Sequence, residues 1–227
     1  MECQICGGSG WILVTKEGKQ FVKRCQCTFS KSVKAYLESA GIPPRYRQCR
    51  FKNYYPKTRD QLRALKVCKE FVQLFPFTKK GVLLFGTPGT GKTHLAVATL
   101  RNIITAKGLK GFFCDFRDLL VELKLMMEQR LPIGEKLEEI RNAPFLVLDD
   151  VGAERNTEWA RDLLAEIINH RYSQCLPTFI TTNLTVGDPS PDSLGGKFDH
   201  RTESRIYDMC TIVQVSGDDR RKEAAGL

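Results

Sequence analysis

The sequence predicts an α/β fold in which a five-stranded parallel sheet is covered by helices on both faces. Three observations point to it. Five short apolar runs, at 82–85, 112–115, 145–149, 178–181 and 211–215, read as buried strands. Helical patterns at 91–106, 117–130, 157–173 and about 199–208 separate them. The runs are continuously apolar rather than alternating, as in parallel strands buried on both sides. Such sheets bind ligands at the carboxyl ends of their strands.

In chain order, residues 1–40 are Cys- and Gly-rich and hold one short helical pattern, "SKSVKAYLESAG" at 30–41. Cys3-x-x-Cys6 and Cys25-x-Cys27, separated by 18 residues, suit a tetrahedral zinc site. A segment this small has too little core to fold without a staple. With four thiolates and no open position, the zinc would be structural; unligated thiols, or a redox pair at Cys3 and Cys6, are the alternatives. Residues 41–59 form a linker in which Pro43, Pro44 and Pro56 oppose regular structure. Residues 60–227 carry the α/β core.

The first core strand runs into "GTPGTGKTHLA", and Gly86-x4-Gly91-Lys92-Thr93 fits the P-loop pattern with its strand before and helix after. The backbone of Gly86, Thr87, Pro88, Gly89, Thr90 and Gly91 can turn its N–H groups on phosphates at a helix N-terminus. Lys92 reaches the β- and γ-phosphates, and Thr93 offers its hydroxyl to Mg²⁺. His94 follows directly; it is counted with the nucleotide-binding segment and given no catalytic part. The third run ends in "FLVLDD": Asp149 is the expected magnesium partner, through water, and Asp150 the group that polarises the attacking water. Glu154, four residues on, is a rival base, and Asp150 could also merely start a turn. In "FITTN", Asn183 can donate to the γ-phosphate and accept from the water; the same letters also fit an ordinary strand-to-loop transition. Thr157 is expected to cap the following helix, with Glu158 in its first turn.

With these elements in order, the chain resembles AAA+ P-loop ATPases, and more narrowly bacterial replicative-helicase loaders of the DnaC/DnaI type within the IstB-like ATP-binding family. "GTPGTGKTHLA", "FLVLDDVGAE", "ITTN", "SRIYDMCTIVQVSGDDR" and the Cys module followed by "AGIPPRY" carry the resemblance. It implies a three-layer sandwich with strand order 5-1-4-3-2, ATP and Mg²⁺ as cofactors, a replicative helicase and single-stranded DNA as partners, and homo-oligomers. It also implies that Arg205 is an arginine finger acting on a neighbouring subunit, with Arg201 one turn earlier assisting; two surface arginines are the alternative. Only 22 residues follow Arg205, too few for a full helical lid, and no lid arginine of the sensor-2 kind is found. Weak hydrolysis by the isolated chain is expected. By similarity, the zinc module (1–40) grips the helicase; Lys16, Lys19, Lys23 and Arg24 could instead track nucleic-acid phosphates. A transposition helper ATPase and a zinc-containing adaptor with a static ATP switch are the competing readings.

Charge sharpens the partner question. Residues 1–80 hold 17 Lys/Arg against 5 Asp/Glu, while the remaining 147 hold 18 against 21. A basic leading third suits nucleic acid or an acidic partner, and equally a plain solvated face. No uncharged apolar run approaches the ~18 residues of a membrane helix, and the N-terminus lacks a secretory pattern. A cytoplasmic protein is expected, with its nine cysteines as thiols or metal ligands. Leu119, Leu120, Leu123, Met126 and Met127 form a core stripe, whose excess apolar surface, beside Lys124 and Arg130, can meet a subunit or single-stranded DNA. Phe51, Asn53, Tyr54 and Tyr55 stand where an adenine pocket draws its residues, though aromatic packing in the connector explains them as well.

Overall fold

The computed structural model describes residues 3–16, 19–155, 157–188 and 190–224. Strands β1 (Trp11–Lys16) and β2 (Lys19–Arg24) form an antiparallel hairpin, and α1 (Gln26–Ser39) follows. The connector contains two single 3-10 turns, Pro44–Tyr46 and Phe51–Asn53. Thr58 then caps α2 (Arg59–Leu74), accepting the Gln61 N–H.

The core proceeds as β3 (Gly81–Phe85), α3 (Lys92–Lys107), β4 (Phe112–Asp115), α4 (Phe116–Glu128) and α5 (Gly134–Asn142). It continues with β5 (Leu146–Val151), α6 (Glu158–Ser173), β6 (Thr178–Thr182), α7 (Leu194–Lys197), α8 (His200–Met209), β7 (Cys210–Gln214) and α9 (Arg220–Ala224). All five core strands are parallel, in the order β4-β5-β6-β3-β7. Counted from β3 as the first, that is the 5-1-4-3-2 order the family resemblance implies. Asp115, Thr157 and Asp199 cap α4, α6 and α8 through their side chains, so the chain enters each of these helices from a fixed direction.

Successive strand residues point to opposite faces, and each face meets its own helical layer. Val82, Leu84, Phe145, Val147, Phe179 and Val213 pack with α2 and α3. Leu83, Leu146, Leu148 and Ile180 pack with α4, α5, α6 and α8. Phe71 of α2 anchors the first layer, its ring centroid 4.7 Å from Phe179 and 5.3 Å from Phe145. At the sheet's outer edge the Phe113 N–H donates to Ala40 O at 2.7 Å, so the end of α1 partly covers β4.

Several elements differ from expectation. The hairpin, α2, α5, α7 and α9 lie outside the elements the sequence predicts, and α1 begins at Gln26, so that Cys27 lies on a helix. Helix α2 buries Gln61, Ala64, Leu65, Cys68 and Phe71, a helical spacing whose small and polar members hide it. The third core strand starts at Leu146 and runs on to Val151, because Asp150 turns with the backbone rather than ending the strand. The last strand sits one residue earlier, at Cys210–Gln214.

The end of the sheet opposite the P-loop is closed by Arg171, which is fully buried. Its Nε donates to Thr178 Oγ1, its Nη1 to the carbonyls of Ile140, Arg141 and Ala143, and its Nη2 to Pro177 O. Arg171→Met should destabilise the chain by about 3 kcal/mol, because those carbonyls lose their donor; urea unfolding monitored by circular dichroism measures the loss.

Candidate functional site

The P-loop leaves the carboxyl end of β3, and Gly91, with φ of 99°, starts α3. Lys92 is almost fully buried, and its Nζ donates to Gly86 O (2.7 Å), Thr87 O (2.8 Å) and Asn183 Oδ1 (2.8 Å). Asn183 in turn donates through Nδ2 to Asp150 Oδ1 at 2.9 Å. Three residues taken from three separate segments are thus joined in one polar chain. Burial pulls the Lys92 ammonium down to about 8, since a desolvated charge is disfavoured.

Asp149, on β5, is also buried. Its Oδ1 accepts the Thr181 hydroxyl at 2.6 Å and its Oδ2 accepts the Thr93 hydroxyl at 3.1 Å. The two residues expected at magnesium are therefore in contact. Burial pushes the Asp149 carboxyl up to about 7, which a bound dication would reverse. A hydroxyl and a carboxylate are oxygen donors of the kind Mg²⁺ takes, so these residues fit the ion. Asp150 has φ of +54°, in the left-handed region that Asp tolerates better than most residues. Its N–H donates to Thr181 Oγ1 at 2.9 Å, and the β5–β6 register shifts between Leu148 and Val151. That turn aims its carboxylate at Asn183. A backbone held there costs on the order of 1–3 kcal/mol and is characteristic of functional sites.

Glu154 is used differently. It is buried, accepts the Gly152 N–H at 2.9 Å, and lies 3.8 Å from Lys197 Nζ, which also donates to Glu154 O and Gly152 O. It braces the loop after β5, and its bonds go to Gly152 and Lys197, not to Lys92, Asn183 or Asp150. His94 turns to the connector, its Nε2 2.9 Å from Arg50 O and its ring 5.4 Å from Tyr54. Of the four connector residues, Tyr54 touches the P-loop, its hydroxyl donating to Thr90 O at 3.4 Å. Asn53 closes its own turn, Phe51 packs on the core, and Tyr55 is exposed.

Arg205 does not join this chain's own P-loop. Its guanidinium lies 5.5 Å over the ring of Tyr172, at the carboxyl end of α6 and hence near the amino ends of the strands. Among the described residues its Nη1 has no hydrogen-bond partner. Arg201 is exposed in the first turn of α8.

A second surface lies beside the carboxyl ends of β4 and β5. A cavity of about 430 Å³ is lined by Arg117, Leu120, Lys124, Arg155 and Trp159, among others, with the Lys124 Nζ 5.1 Å over the Trp159 ring. Val121 and Leu125 are exposed on the same helix. Sequence reading found Lys124 and missed Trp159, since a lone Trp on a helix carries no local signal of its partners.

In the N-terminal module the four cysteine sulfurs lie within 4.8 Å of one another, with Cys3–Cys25 at 3.8 Å and Cys6–Cys27 at 3.4 Å. Tetrahedral zinc with ~2.3 Å Zn–S bonds needs sulfurs about 3.8 Å apart, so the cluster fits the ion. The Gly10 N–H donates to Cys6 Sγ at 3.3 Å and pulls that thiol down to about 6, while hydrogen bonding with Cys6 pushes Cys27 up to about 12. Of the basic residues that could meet phosphates here, the side chains of Lys16, Lys19 and Arg24 lie outside the described ones; Lys23 is exposed.

The sequence profile of the IstB-like ATP binding protein family matches residues 30–226. The chain belongs to that family. Among similar proteins, the phage-like element PBSX protein XkdC of Bacillus subtilis is 27% identical over 95% of this chain and 83% of its own length. The replicative helicase loader DnaI of B. subtilis is 32% identical over 63% of this chain, a match spanning 48% of DnaI. A crystal structure of the DnaC helicase loader superposes with a TM-score of 0.69 at 38% identity, covering 77% of this chain and all of that one. The parallel five-stranded sheet is therefore that of an AAA+ ATP-binding domain. No helix among the described residues is long and apolar enough to cross a membrane.

Metal analysis of the purified chain should find about one zinc per chain, as a four-thiolate site requires. Cys25→Ser should remove most of it, and a chelator should lower the melting transition of the unsubstituted chain but not of the variant.

Proposed function

We propose that this chain is an ATP-dependent loader of a replicative DNA helicase, with ATP bound at the P-loop and hydrolysed between subunits. The observation that carries the reading is the polar chain from Lys92 through Asn183 to Asp150, beside the Asp149–Thr93 pair. The N–H groups of residues 89–93 and the Lys92 ammonium hold the phosphates, and Lys92 exchanges its carbonyl partners for phosphate oxygens on binding. Thr93 and Asp149 would hold Mg²⁺, which supplies neutralising charge. Asp150 orients the attacking water and accepts its proton, and Asn183 couples that carboxylate to the γ-phosphate. Glu154 is left out, because its carboxylate is committed to Gly152 and Lys197.

Arg205 acts on the nucleotide of an adjacent copy. Its place at the far end of its own sheet supports a role outside its own site, and a guanidinium fork suits the charge spread over the γ-phosphoryl oxygens. Turnover then depends on assembly. Single-stranded DNA runs along the Trp159 groove, where bases stack on the indole and Arg117, Lys124 and Arg155 meet phosphates. The Cys module, with Trp11, Leu13, Phe21 and Val22 exposed on its hairpin, is a separate arm for the helicase. The similarity to DnaI and DnaC supports this choice of partner.

The family name equally covers transposition helpers, and one experiment separates the two. Pull-down with and without ATP should retain the host's replicative helicase; retention of a transposase alone would replace the loader reading. Arg205→Ala should lower DNA- or partner-stimulated turnover by about 10³-fold while ATP still binds. Mixing it with Lys92→Ala chains should restore part of the activity, because each supplies what the other lacks; phosphate release measures both. Trp159→Ala should weaken binding of a fluorescent oligonucleotide by about tenfold, the size of one lost base stack.

A further inference from the structure

The P-loop is gripped from behind by two segments far apart in sequence. After β7 the chain returns past the start of α2, where Thr58 Oγ1 and Gln61 Nε2 each donate to Ser216 O at 3.0 Å. It then reaches the loop, and the Arg220 N–H donates to Gly89 O at 3.2 Å. The Arg220 side chain fixes this arrangement. Its Nη2 donates to Tyr55 O and Gln61 Oε1, both at 2.7 Å, and its guanidinium lies 4.5 Å over the ring of Tyr54. Tyr54 is buried, and its hydroxyl reaches the next carbonyl of the loop, Thr90 O.

Those two carbonyls determine two donors. A trans peptide is planar, with the C=O of one residue opposed to the N–H of the next. Holding Gly89 O toward Arg220 turns the Thr90 N–H the other way, and holding Thr90 O toward Tyr54 turns the Gly91 N–H the other way. Neither N–H donates a hydrogen bond within the described chain, so both are left for a ligand. The loop's glycines permit the close grip. A Cβ on Gly89 would meet Asp219 Oδ1 at 1.9 Å and one on Gly91 would meet Tyr54 Cε2 at 2.7 Å, and both residues have positive φ.

We propose that Arg220 and Tyr54 are positioning residues for nucleotide binding, a clasp that presets the Thr90 and Gly91 N–H groups toward the phosphates. The clasp rests on the reading of residues 86–93 as the ATP site and extends it to two residues outside the loop. It works by preorganisation: without it the two peptide planes are free to rotate, and the nucleotide must order them at a cost in affinity.

The test is calorimetric titration of the full chain with ATP, alongside melting curves recorded without nucleotide. Arg220→Ala should weaken ATP about tenfold and Tyr54→Phe about threefold, the size of one or two lost ordering contacts, with nucleotide-free melting points close to the unsubstituted chain. Arg220→Lys should fall between, since an ammonium keeps the charge but not the planar fork. In partner-stimulated turnover the KM for ATP should rise by more than kcat falls. ATP affinity unchanged in Arg220→Ala would overturn the clasp. So would affinity losses matched in both variants by collapse of the nucleotide-free melting transition. Absence of ATP binding by the unsubstituted chain would instead remove the nucleotide site itself, and the clasp with it.

Discussion

One buried ammonium organises the functional end of this molecule. Lys92 has little access to water, and a charge so placed must be surrounded by dipoles or lose its proton. Two P-loop carbonyls and the Asn183 amide surround it. Because Asn183 lies beyond the end of β6, and Asp150 on β5 receives the other end of the same amide, one charge ties three segments of the sheet into register. A ligand bearing phosphates would offer that ammonium a better set of partners, so the proposed nucleotide binding would exchange these bonds for phosphate contacts.

The sheet that carries these groups is held at both ends. Opposite the P-loop, Arg171 gathers the carbonyls before β5 and β6. At the nucleotide end, Thr181 spans Asp149 and Asp150, donating to one carboxylate and accepting from the next backbone N–H. The left-handed turn at Asp150 is thereby stabilised by a neighbouring strand, and adjacent acids of identical chemistry acquire different surroundings: one buried against two hydroxyls, the other facing an amide. On the proposed reading, that division suits one carboxylate to a metal and the other to a water molecule.

Much of this was legible in the residues. The P-loop, "LDD" and "TTN" are local patterns, and each needs only its own strand and the turn after it. The Cys3, Cys6, Cys25 and Cys27 spacing named four sulfurs that the structure brings within 4.8 Å. What escaped was non-local or weakly patterned. The hairpin leaves Trp11, Leu13, Phe21 and Val22 exposed, so no polar alternation marks its strands. The short charged helix α5 fully buries one residue, Ile140, and its Ile133, Leu137 and Ile140 stripe is too short to stand out among its charges. Thr181, Trp159, Lys197 and Arg220 matter through partners 31 to 166 residues away, at separations no motif spans.

By itself the sequence determined the class of fold, the P-loop pattern between its strand and helix, the carboxylates and amide that lie beside it, and the cysteines of the N-terminal cluster. These follow from local backbone chemistry: glycines that bend, apolar runs that bury, and polar residues at strand ends. Only the tertiary structure decided that Glu154 braces a loop while Asp150 faces Asn183, that Arg205 stands away from its own P-loop, and that the chain after the last strand returns to hold the loop's carbonyls. Those outcomes depend on which side chains meet once the sheet is assembled, and hydrogen-bond partners are chosen by distance in space, which spacing along the chain does not record.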